Sequence, residues 1–213
     1  MKFLIYFLLF FICSIVGWIY ELVYCLIQDR KFVNRGFLIG PYLPIYGTGS
    51  VVMILYLNQY KDNPLTVFIL AMVICTILEY ITSYLMEKLF NARWWDYSNQ
   101  KFNINGRVSL FNSLLFGILS LLLIYVVNPL YLNLIDNMNN TWLCVISSIC
   151  LIIFIVDFII SFIIVRKIKN NLNNSKLDST VEIRKLINSK IKKNYLHNRI
   201  FNAFPKIKFF NKK

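Results

Sequence analysis

Three carboxylates, Glu21, Glu79 and Asp157, stand inside stretches of this 213-residue chain that are otherwise apolar and long enough to cross a bilayer. An ionised side chain at mid-bilayer costs roughly 2.5 to 3.5 kcal/mol, somewhat less off-centre, so each needs a cationic partner, a proton or water. A carboxylate placed there can fix helix register through an ion pair, hold a cation or hydrogen-bond donor, or act as a general base. Measured from expected inner ends at Ile27, Glu87 and Val165, each lies roughly two helical turns in, or about 9 to 12 Å at the usual rise, which predicts one shared layer. Arg35, Arg93 and Arg107 are the cations expected on the same side. Asp157 is the weakest of the three, since nothing flanking it forms a pattern.

Beside this layer runs the stretch NRGFLIGPYLPIYGTG, Asn34 to Gly49, with Gly36, Gly40, Gly47 and Gly49 set among Pro41 and Pro44. Regular helices avoid such a composition. Lipid tolerates interrupted backbone only where protein or water satisfies the freed amides and carbonyls. The stretch is therefore expected to line a cavity or a tight helix contact, with Tyr46 at its far end.

The elements that must carry these residues follow from composition. At 58% hydrophobic, 16% aromatic and mean hydropathy +0.58, the chain suits an integral membrane protein. Five stretches reach spanning length: 3–27, 37–57, 64–86, 108–127 and 142–165. The first has too long an apolar run for a secretory signal and no small-residue cleavage site after it, so it reads as a retained span. Arg30, Lys31 and Arg35 follow the first span, and Lys88, Arg93, Lys101 and Arg107 the third; the second connection has only Lys61 and the fourth no basic residue. The positive-inside rule then predicts the N-terminus outside and the C-terminus in the cytoplasm. The expected architecture is an all-α membrane protein. It comprises a transmembrane domain over 1–165, a bundle of about five helices whose second is interrupted near its start, and a basic cytoplasmic tail over 166–213.

Net charge is a property of that tail. Positions 166–213 hold 14 Lys/Arg against Asp178 and Glu182, or +12, and positions 1–165 hold 9 against 8, or +1. Ser179 with Glu182 forms a capping-box signature ahead of Ile183, Leu186, Ile187, Ile191 and Leu196, which predicts a basic amphipathic helix lying on anionic inner-leaflet lipid. Nucleic acid is a weaker partner, because no binding motif occurs.

Within the spans, Ser14, Gly17, Trp18, Glu21, Tyr24 and Gln28 share one helical face, as do Thr76, Glu79, Tyr80, Ser83 and Glu87 in the third span. Ser113, Gly117 and Ser120 form a small-residue stripe suited to close helix packing, with Asn112 beside it. The loop FNARWWDYSNQKFNINGR, Phe90 to Arg107, mixes aromatics with both signs of charge. Trp94, Trp95 and Tyr97 are expected to anchor it in the headgroup zone, leaving Arg93 and Asp96 to pair or to meet a polar ligand.

No phosphate loop, GxSxG or HExxH motif occurs, the five cysteines lack CxxC spacing, and His197 is alone in the tail. Neither a cofactor nor a metal is expected. Any catalysis would rest on Glu21 or Glu79 as a base.

GWIYE (Gly17 to Glu21), NRGFLIGPYLPIYG (Asn34 to Gly47), LEYITSYLMEKLF (Leu78 to Phe90), RWWDYS (Arg93 to Ser98) and GRVSL (Gly106 to Leu110) together resemble the ABC-transporter type IV family of CmpB-like bacterial membrane proteins. The resemblance runs from the N-terminus to about Val127. It implies a multi-pass protein of the bacterial plasma membrane, a permease partner of a separate ATPase. The leading expectation is thus a permease-like component with a polar cavity toward the cytoplasm, in which Glu21 and Glu79 take cationic or donor groups and Arg35 and Arg93 take anionic ones. A second membrane subunit or a second copy is a further expected partner. Two alternatives stand beside it: a membrane enzyme acting on a lipid-linked or amphipathic substrate, and a scaffold recruiting a partner through the basic tail.

Overall fold

The computed structural model describes residues 1–30, 36–173 and 208–209. Arg35 and the capping-box helix expected in the tail lie outside them. The described chain is an all-α bundle built from α1 (Lys2–Asp29), α2 (Pro44–Leu57), α3 (Pro64–Phe90), α4 (Leu110–Leu122), α5 (Asn128–Asp136) and α6 (Asn140–Asn173). Lys2–Ile27, Pro64–Phe90, Leu110–Asp136 and Asn140–Lys167 are long and apolar enough to cross a membrane. Isoleucines such as Ile152 and Ile163 on α6 stay exposed, as side chains facing lipid do.

The second apolar stretch is only partly helical. Residues 36–43 form bends, and α2 starts at Pro44, whose missing N–H and fixed φ suit a first helical position. Its 14 residues rise about 21 Å, well short of a bilayer core of about 30 Å. α2 runs antiparallel to α1 in close contact: a Cβ on Gly47 would collide with Ser14 Oγ and the Phe10 carbonyl oxygen. One on Gly17 would run into the Tyr46 ring. Only glycine allows this crossing.

α3 starts at Asn63, whose side chain accepts from the Thr66 amide at 3.1 Å, and ends at Asn91 in the left-handed region, φ 50°. The fourth apolar stretch continues beyond its expected end at Val127. Pro129 cannot donate to the turn before it, and a π turn over Leu123–Val127, in which the Asn128 amide bonds to the Leu123 carbonyl, carries the helix on to Asp136. Ser113, Gly117 and Ser120 are buried, with Ser113 Oγ 2.7 Å from Thr76 Oγ1 and Gly117 against Phe68 and Met72 of α3.

An apolar core occupies one end of the bundle, where Leu9, Met53, Leu57, Val67, Ala71, Leu123 and Tyr131 pack. Polar side chains gather toward the other end. Between α3 and α4 the chain forms β1 (Ala92–Arg93) and a hairpin of β2 (Asn103–Ile104) with β3 (Val108–Ser109), and β4 (Lys208–Phe209) pairs antiparallel with β1. The hairpin turns at Asn105 (φ 53°) and Gly106 (φ 65°), the two positive values of a type I′ turn.

Candidate functional site

The stripe Val67, Ala71, Cys75, Glu79, Ser83 recurs every fourth residue along α3 and is buried throughout, so one face of a single helix passes from the apolar core into the polar end. Its first polar member, Glu79, is 5% exposed. Tyr97 from the loop donates its hydroxyl to Glu79 Oε1 at 3.1 Å, while Glu79 Oε2 is buried with no hydrogen-bond partner among the described residues. Glu21 of α1 accepts from the Tyr46 hydroxyl of α2 at 2.9 Å. Burial, then the Glu79 carboxylate, push the Tyr97 phenol well above its usual range; Glu21 adds to the rise, and Asn112 of α4 opposes it. Glu21, Tyr46, Glu79, Tyr97 and Asn112 thus meet from four helices and one loop. The phenol stays a donor throughout the physiological range.

Farther along α3 lies a group that is fully paired. Glu87 Oε2 is 3.0 Å from both Arg93 Nε and Arg107 Nη1. Arg107 also donates to Ser83 Oγ at 3.3 Å and covers the rings of Tyr80 and Tyr84, 5.7 and 5.6 Å from its Cζ. Arg93 further reaches the Asn105 carbonyl and lies 4.0 Å from Asp96. Arg93 and Arg107, two of the three arginines expected to neutralise the buried acids, therefore bind Glu87 instead, because the type I′ turn carries Arg107 to the shallower turn of α3.

Asp157 belongs to neither group. The Ile39 amide donates to its Oδ1 at 2.9 Å, the Gly40 amide to its Oδ2 at 2.7 Å and the Tyr42 hydroxyl to Oδ2 at 2.5 Å, with Ser161 Oγ donating to Oδ1 at 2.9 Å. The Leu43 amide donates to the Ser14 carbonyl at 2.9 Å. Non-helical backbone inside an apolar bundle must find its partners in protein, and α6 and α1 supply them here. The expectation that all three carboxylates converge is corrected accordingly. Glu79 takes the Tyr97 phenol and Glu21 the Tyr46 phenol, with the Glu21 charge felt at Tyr97, whereas Asp157 binds the non-helical segment containing Gly36, Gly40 and Pro41. The sign that could have identified its role is the pairing itself: a glycine-rich break releases amides, and a lone buried acid elsewhere in the chain can accept them.

The loop also differs from the expected headgroup anchor. Trp94 is 4% exposed and packs edge-on against Phe37 and Phe90, with ring centroids 5.9 and 6.0 Å apart. Trp95 Nε1 donates to the Arg107 carbonyl at 2.9 Å, and Tyr97 points inward to Glu79. Aromatic packing holds Trp94 inside the bundle, and polar partners hold Trp95 and Tyr97. Gly106 keeps the loop folded: a Cβ there would collide with Ser98 Oγ and lie 2.6 Å from Asp96 Oδ1. A cleft of about 340 Å³ lies at the other end of α2, lined by Tyr56, Gln59, Tyr60, Leu70 and Ile74, away from the polar cluster.

No curated protein and no solved structure matches this chain. A family model does, over residues 8–162, which carries the resemblance past Val127 into α6 and includes Asp157. With four long apolar helices and that match over most of its length, the chain is a multi-pass membrane protein and belongs to the putative ABC-transporter type IV family.

Proposed function

We propose that this protein is the permease-like membrane component of an ABC-type transport system, with its ligand site at the Glu21–Glu79 cluster near the cytoplasmic face. Residues 1–165 form the membrane domain in this reading, with the N-terminus outside and the basic tail, 166–213, in the cytoplasm. The observation that carries it is the broken second helix: Asp157 and α1 hold the non-helical segment 36–43 inside the bundle, and Tyr46, in the first turn of the helix that follows, bonds Glu21 of a cluster whose other acid, Glu79, keeps one oxygen unbonded. Broken helices of this kind form ligand and ion sites in many transporters. Family membership supports the transport assignment, and no phosphate loop lies within these residues, so in this reading nucleotide hydrolysis is assigned to an ATPase outside them.

The test is isolation of the tagged protein from native membranes in mild detergent. An ATP-binding subunit is expected to copurify, and Glu79→Gln is expected to reduce transport while leaving that subunit bound. Repeated recovery of the chain alone would contradict the reading.

A further inference from the structure

The Glu79 oxygen left unbonded by Tyr97 lies at a level of the bundle that has room in it. Gly49 is buried, yet a Cβ placed on it would meet no atom within 4 Å. Two residues earlier, the same addition to Gly47 would strike Ser14 and Phe10. The gap is therefore confined to the face of α2 turned away from α1. That face is the one toward α3, since Met53, one turn on from Gly49, has its Sδ 3.6 Å from Cys75 Sγ.

Register places this gap opposite Glu79. α2 and α3 are antiparallel neighbours, so one turn back from Met53 to Gly49 runs alongside one turn forward from Cys75 to Glu79. Tyr97, bonded to Glu79 Oε1, brings a phenol oxygen beside the carboxylate. Among the described residues no basic side chain reaches Glu79, although Arg93 and Arg107 are held close by on Glu87.

We propose that this gap is a binding site for a compact monovalent cation, of the alkali or ammonium class, that neutralises Glu79. Carboxylate and phenol oxygens are hard ligands suited to such ions. A divalent ion would call for more acids than are present, because no group of three His, Cys, Asp or Glu is clustered among the described residues. Compactness follows from the space, which is that of a missing side chain. The inference rests on the Glu21–Glu79 cluster being the ligand site in the reading above, but not on an ATPase partner, so it is tested on the isolated chain.

Purified full-length protein would be unfolded thermally at fixed pH and equal ionic strength in sodium, potassium, ammonium or choline chloride. One small cation at about ten times its Kd is expected to raise Tm by about 3 to 6 °C over choline. Glu79→Gln removes the rise, and Gly49→Val, which fills the gap, removes it as well. Gly49→Ala, whose methyl meets nothing, retains the wild-type Tm in choline; if Gly49→Val does not fold, Glu79→Gln decides alone. Equal melting in all four salts, or a rise that survives Glu79→Gln, would overturn the proposal.

Discussion

Asp157 and Glu79 are both acids buried in apolar helices, 8% and 5% exposed, and the bundle treats them in opposite ways. Asp157 receives four donors, two of them backbone amides, and holds the break before α2 in place. Glu79 receives one, from a loop tyrosine, and keeps an oxygen without a partner among the described residues. A buried acid with every lone pair engaged is a building element, whereas one left half-bonded in a protein with basic residues nearby has been kept for something else.

The contrast can be broken most severely at Asp157. Asp157→Ala strands two amides and a phenol inside the bundle and is expected to cost about 3 to 5 kcal/mol, seen as a lower Tm or failure to accumulate in the membrane. Next in size is the helix crossing. Gly47→Ala forces α1 and α2 apart and is expected to cost about 1 to 3 kcal/mol by thermal unfolding, whereas Gly49→Ala stays within about 0.5 kcal/mol of wild type. Equal effects at the two glycines would show that the gap at Gly49 is absent. The smallest of the losses belongs to the half-bonded acid's single donor: Tyr97→Phe is expected to cost about 1 kcal/mol, above only the near-neutral Gly49→Ala.

Much of this arrangement is written locally in the chain. Four glycines and two prolines from Gly36 to Gly49 predict the break, and the polar faces of the first and third spans predict that Glu21 and Glu79 meet. The role of Asp157 is legible only by pairing a lone acid with the break, because its partners are main-chain amides 117 and 118 residues away, which leave no side-chain pattern. The partners of Arg93 and Arg107 depend on a type I′ turn that sets which turn of α3 the loop reaches, and charge counting alone cannot supply that. Trp94 and Tyr97 carry the composition of a headgroup anchor, yet a buried carboxylate and an aromatic nest outcompete the lipid boundary for them. The continuation of the fourth span past Val127 is not legible because the π turn that absorbs Pro129 has no residue signature of its own.

Thermal unfolding of Asp157→Ala and Glu79→Gln, side by side in one detergent, tests most directly whether the two acids have divided the work in this way. In choline chloride, the account predicts that Asp157→Ala melts about 6 °C or more below wild type, or does not fold, while Glu79→Gln melts within about 2 °C of it. The opposite order, with Glu79→Gln unfolding first and Asp157→Ala unaffected, would contradict it.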